Sequence, residues 1–137
     1  MPKPVFVKFP TDDLVLASAS VIRAKLLEDA GLGFSQYPVV IDEESVRAAC
    51  IAEDIPASGI AVMLAEMKAA AASQHLAIER PVPPAYILGC DQILVCGEKI
   101  YSKPQDMGVA KLQLSALAGR THQLLTAAVL FQHGQRI

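Results

Sequence analysis

The sequence predicts an α/β fold, a mixed β-sheet with flanking helices. Three observations carry this. Short apolar runs suited to strands alternate with stretches whose apolar residues recur at helical spacing, the order that builds crossovers between parallel strands. A tight turn at Gly97-Glu98, between two apolar segments, calls for an antiparallel hairpin, so the sheet must be mixed. In 137 residues, an apolar share of 53% against 19% charged residues supplies a core and excludes a disordered chain.

Taken in order, Leu14–Ala17 is an apolar run fit for a buried strand. Ser18-Ala19-Ser20 breaks it, and Val21–Ala30 follows as a helix with Ile22, Leu26, Leu27 and Ala30 on its apolar face and Gly31 as its stop. Phe34–Ile41 reads as a strand that Pro38 pushes toward an edge or bulge. Asp42-Glu43-Glu44-Ser45 makes a polar corner before a short helix at about Val46–Glu53. Ser58 is placed to cap the next helix, whose apolar face is Ile60, Met63, Leu64, Met67 and Ala71, running to about Leu76. The proline-stiffened Glu79–Pro84 is the expected crossing between lobes.

Tyr86–Cys90 and Ile93–Cys96 read as two apolar pieces joined through Asp91-Gln92, with Lys99–Tyr101 returning as the hairpin's second arm. Asp106 caps a helix at Met107–Leu117 that offers Val109, Leu112, Leu114 and Leu117 for packing and is ended by Gly119. Thr121–Phe131 is the last long strand.

Twelve basic residues against fourteen acidic ones leave a net charge of −2, without the basic surplus that nucleic-acid binding draws on. The longest apolar stretch, Leu124–Phe131, has eight residues including a threonine, against roughly 18 needed to cross a bilayer. Met1-Pro2-Lys3-Pro4 lacks the apolar core and cleavage site of a secretory signal. The expectation is a cytoplasmic protein with neither nucleic acid nor membrane as partner. Cys50, Cys90 and Cys96 lack C-x2-C spacing and read as small buried apolar residues.

Asp91 is the most informative position, because its apolar surroundings predict burial and a buried carboxylate must be paired or protonated. Either it caps a turn at a strand end, or it is a carboxylate at a ligand crevice. Ser18-Ala19-Ser20 before a helix suits a phosphate at free N–H groups, with Arg23 adding a fork of donors, or serves only as an N-cap. Lys68, at the margin of its helix's apolar stripe, either lifts its amine to water or joins a site. Lys103-Pro104 alone reads as surface loop. Asp42, Glu43 and Glu44 are a solvated helix start or oxygen ligands for a hard cation. His75, His122 and His133 have no metal-ligand spacing, and neither a P-loop nor G-x-S-x-G occurs.

Six stretches in this order resemble the Maf family of nucleoside triphosphate pyrophosphatases: Leu16–Gly31, Ile41–Glu44, Leu64–Ala69, Ile87–Val95, Ser102–Pro104 and Leu117–Leu130. The resemblance implies a Maf/ITPase-like two-lobed fold with a deep cleft. It implies hydrolysis of a nucleoside triphosphate to the monophosphate and pyrophosphate with a divalent metal, Mg2+ or Mn2+. Asp91 is then the catalytic proton acceptor. Ser20, Arg23, Lys68 and Lys103 fall on phosphate-holding positions, and Asp42 or Glu43 falls on an acidic position near the metal. The family is associated with removal of non-standard nucleotides and with arrest of septum formation.

The chain departs from the pattern in three places. Val21-Ile22-Arg23 stands where many members have Pro-Arg-Arg, and Ile22 occupies a position that varies with base preference. Gln92 is similar to the branch acting on 7-methyl-GTP, whereas Gly119–His122 is closer to the branch acting on dTTP and UTP. Residues 1–137 are expected to form one Maf-like domain ending before the family's C-terminal part, with exposed apolar edges that favour a homodimer. The alternative function is a non-catalytic nucleotide-binding or protein-interaction module.

Overall fold

Strand β1 (Leu14–Leu16) is buried along its length because it lies between two parallel neighbours, the two-residue β2 (Ser35–Gln36) and the eleven-residue β3 (Tyr86–Cys96). The computed structural model describes residues 13–137, so the Met1–Pro4 stretch read above lies outside them. Between β1 and β2 runs helix α1 (Val21–Asp29), and between β2 and β3 run α2 (Glu43–Ala52) and α3 (Ala57–Glu79). The hairpin arm β4 (Lys99–Tyr101), helix α4 (Met107–Leu117), β5 (Gln123–Gln132) and β6 (Gln135–Arg136) complete the chain. The strand order is β2-β1-β3-β5-β6, with β4 also on β3. The β1 pairings are parallel and the others antiparallel, giving the expected mixed sheet.

The pairing of β3 positions the site. One edge runs against β5 from Tyr86 to Val95. The other is shared, with β1 on Tyr86–Leu88 and β4 on Leu94–Cys96. Among the described residues, the stretch between them, residues 89–93, has no strand partner on that edge. Asp91 therefore sits mid-strand beside a gap, rather than in a link between two pieces or at a strand end. Unbroken pairing with β5 keeps the strand continuous there.

The main core lies between α3 and the face of β3 and β5 that carries Ile87, Ile93, Val129 and Phe131. The buried stripe of α3 is Ile60, Ala61, Leu64, Ala65, Lys68, Ala69, Ala72 and Leu76. Met63 and Met67, expected in that stripe, are each 37% exposed at its rim. Alanine takes their place because helix and strand approach closely: a Cβ on Gly89 would lie 2.1 Å from the Ala65 carbonyl oxygen. Each fully buried Leu or Ile here contributes about 1.5–3 kcal/mol. A smaller cluster of Leu16, Ala24 and Cys90 lies elsewhere, with Leu27 and Phe34 packed on it.

Several elements depart from expectation for local reasons. The strand expected over Phe34–Ile41 shrinks to two residues, since its partner β1 itself ends at Leu16, whose carbonyl accepts from the Tyr37 N–H. Helix α2 begins at Glu43 rather than Val46, because Asp42 is its cap. Helix α3 starts after Pro56 without any side-chain cap, so Ser58 lies inside its first turn, and it runs on to Glu79. In α1 only Ala24 is buried, while Ile22 and Leu26 face solvent. No residue of α4 is buried, and Leu112 and Leu114 are open. His133 and Gly134, both at positive φ, turn the chain into the β6 hairpin that the sequence reading left out. Among the described residues no helix is long and apolar enough to cross a membrane.

Candidate active site

The gap along β3 opens into a cleft of about 840 Å³. In the alternation of β3, Ile87, Gly89, Asp91 and Ile93 share the face turned to α3, and of these Asp91 lines the cleft. The contacts of Gly89 with Ala65 and Ala69 bring α3 close enough for Lys68 to meet Asp91. Lys68 Nζ donates to Asp91 Oδ1 at 2.9 Å. It also lies 2.7 Å from Glu43 Oε1. Lys68 is thus in the buried stripe, not at its margin, and its amine is held between two carboxylates instead of reaching bulk water. Asp91 is 4% exposed, and burial of its charge is tolerable because a cation meets it. Its second oxygen, Oδ2, is buried without a hydrogen-bond partner among the described residues.

The opposite rim is the turn after β1. Ser20 caps α1, its Oγ accepting from the Arg23 N–H at 3.3 Å. Ser18 Oγ accepts from Ser20 N–H at 3.2 Å and from Arg23 Nη1 at 3.3 Å. Arg23 Nη1 also donates to the Cys90 carbonyl at 3.2 Å, which β1 and β4 leave without a ladder partner. The serine–helix signal thus serves as an N-cap and as a cleft wall at once. Burial pushes the Cys90 thiol above its usual range and so keeps it protonated at neutral pH, a poor state for a nucleophile.

Ser20, Ile22, Arg23, Lys68, Asp91 and Gln92 all line the cleft, as do Glu43 and Lys103. Asp42 does not. Its carboxylate accepts from Ser45 N–H at 3.1 Å and Ser45 Oγ–H at 2.7 Å, and these bonds hold its pKa below the ordinary value. That cap sets the start of α2 and so delivers Glu43, one residue on, to the cleft. Gln92 Nε2 donates to Thr126 Oγ1 at 2.8 Å across the β3–β5 pair. None of the three histidines lines the cleft.

Sequence reasoning missed Arg47, Ser102 and Gln113. Arg47 had a legible signal, since it lies four residues after Glu43 on one helix face, and its Nη2 is 3.5 Å from Glu43 Oε2. Ser102 lay inside the matched stretch Ser102–Pro104 but was given no role, and Gln113 had no signal, because an open helix decides its place. Among the described lining residues four are cationic (Arg23, Arg47, Lys68, Lys103) and two acidic (Glu43, Asp91), an excess of two positive charges in a chain whose net charge is −2. Low-dielectric walls concentrate such a local field on an anionic ligand. Among the described residues no group of three His, Cys, Asp or Glu side chains converges.

A family model described as Maf-like protein matches residues 13–137. A nucleoside triphosphate pyrophosphatase of Ruegeria pomeroyi is 43% identical over 127 residues, 93% of this chain and 61% of the relative. A 7-methyl-GTP pyrophosphatase of Mesorhizobium japonicum is 39% identical over 125 residues, 91% of this chain and 60% of the relative. A nucleoside triphosphate pyrophosphatase 1 of Jannaschia sp. is 40% identical over 124 residues, 90% of this chain and 60% of the relative. The chain thus spans about three-fifths of the length of these curated relatives.

Proposed function

The chain belongs to the Maf-like family, and from that premise we propose that it forms the catalytic cleft of a nucleoside triphosphate pyrophosphatase, releasing the monophosphate and pyrophosphate. One observation carries the reading: a buried carboxylate, one oxygen of it unpartnered among the described residues, lining a cleft with surplus positive charge. A triphosphate carrying one divalent ion keeps about two net negative charges, which that surplus matches.

On this reading Arg23, Lys68 and Lys103 neutralise phosphate oxygens, and the N-terminus of α1 behind Ser20 offers its free N–H groups. Lys68 holds Asp91 Oδ1, and the Asp91 carboxylate accepts a proton from the attacking water. The water oxygen bonds to the α-phosphorus, the α–β bridging P–O bond breaks, and its electron pair leaves with pyrophosphate. Ile22, exposed at the rim, and Gln92, fixed by Thr126, are the side chains offered to the base.

A divalent ion, Mg2+ or Mn2+, fits these residues, since hard cations take one or two carboxylates together with substrate phosphates. Glu43 would hold it, with Asp91 close by on the far side of Lys68. When bound, the ion polarises phosphoryl oxygens.

The test is release of pyrophosphate and monophosphate from dTTP, UTP, CTP and 7-methyl-GTP with Mg2+ or Mn2+. Asp91→Asn should lower turnover about a thousandfold, with circular dichroism unchanged. Turnover that survives the substitution defeats the assignment of Asp91. Nucleotide binding without hydrolysis by the unaltered chain favours a binding module instead.

A further inference from the structure

Two walls of the cleft meet through one side chain that the reaction as described leaves unused. Arg47, on α2, has a side chain only 16% exposed. Its Nη1 donates to Ser102 Oγ at 3.1 Å, and its Nη2 lies 3.5 Å from Glu43. Ser102 directly precedes Lys103 in the loop between β4 and α4. On its other side that loop is held by Gln113 Nε2, which donates to the Ser102 carbonyl at 2.8 Å. Since α4 buries nothing, apolar packing does little to fix this loop. Polar bonds to Ser102 must do it.

We propose that Arg47 is a positioning residue, a latch that ties the Lys103 loop to the Glu43–Lys68 pair and so sets how the two lysines face one polyphosphate. This rests on the reading of the cleft given above. A guanidinium suits the role because its rigid fork serves two acceptors at once, one on each wall. Among the described residues its Nε is buried without a hydrogen-bond partner, an unfavourable state that its contacts with Ser102 and Glu43 offset. Lysine keeps the charge but offers a single ammonium in place of the planar fork whose two Nη atoms point to separate acceptors.

Two measurements test the latch, one of them free of any ligand. Backbone NMR order parameters at Ser102, Lys103 and Gln105 should fall below about 0.6 in Arg47→Ala and in Ser102→Ala, from about 0.85 in the unaltered chain. Unchanged order parameters in both variants overturn the latch, whatever the cleft binds. Should Arg47→Ala not fold, Ser102→Ala decides alone. By calorimetry with Mg2+ present, Arg47→Ala should weaken pyrophosphate binding about tenfold, but less than about twofold in a Lys103→Ala background. Arg47→Lys should bind nearly as poorly as Arg47→Ala. Full additivity of the Arg47 and Lys103 substitutions shows that Arg47 does not act through Lys103 and overturns the proposal. If the unaltered chain binds no pyrophosphate, the polyphosphate reading falls, and the order parameters still decide whether the latch exists.

Discussion

Helices α3 and α4 are both built largely from alanine, leucine and methionine, yet α3 buries eight residues and α4 none. The difference lies in the surface each one meets. Opposite α3 stands a sheet face with a glycine at closest approach and aliphatic residues on either side, so its small residues sink in and its backbone nears β3. Among the described residues α4 meets no such face, and Leu112 and Leu114 remain 72% and 68% exposed. Apolar content makes burial favourable, and only a complementary surface makes it happen. The two walls of the cleft inherit this contrast. Lys68 is carried by tight packing, Lys103 by a loop that hydrogen bonds hold.

The contrast can be broken most severely at Gly89. Gly89→Val would drive its side chain into the Ala65 carbonyl and force α3 off the sheet, at a cost of about 4 kcal/mol or more. Denaturant unfolding measures it, and a loss under about 1 kcal/mol would mean that the close approach is not structural. Truncation of the two helices gives the direct comparison. Leu64→Ala in α3 should cost about 3 kcal/mol, whereas Leu114→Ala in α4 should stay within about 0.5 kcal/mol. Equal losses would show that α4 packs in solution.

The smallest effect concerns α2, which carries both Glu43 and Arg47. The Asp42 carboxyl is held below its ordinary value of 3.8, first by the Ser45 hydroxyl and then by the Ser45 amide. A depressed carboxylate contributes stability above its unfolded pKa and loses it as pH falls through the folded one. The cap is therefore fully engaged near neutrality and released below about pH 3.8. Asp42→Asn keeps a cap without the ionisation, so its thermal midpoint should fall less between pH 5 and pH 3 than that of the unaltered chain. Parallel curves would mean that the Asp42 ionisation contributes nothing to stability.

Most strands and helices could be read from the sequence, since periodicity, caps and stops act within a few residues. The Ser20 and Asp106 caps and the Gly31 stop, at a φ of +79°, follow from local chemistry. The Gly97-Glu98 hairpin does too. Asp91 could be singled out because an acid inside an apolar run must find a partner. Which cation that would be, and which oxygen would be left over, could not. Lys68 lies 23 positions away, and its arrival depends on alanines at 65 and 69 facing a glycine at 89.

By itself, then, the sequence determined the α/β alternation, the mixed sheet and the identity of the buried acid, because backbone preferences and desolvation act on neighbouring residues. The tertiary structure alone decided that β3 runs unbroken past an open edge and that α4 stays uncovered. It also decided that Arg47 reaches Ser102 across 55 positions. Those outcomes depend on which surfaces come together, a property of distant pairs of segments.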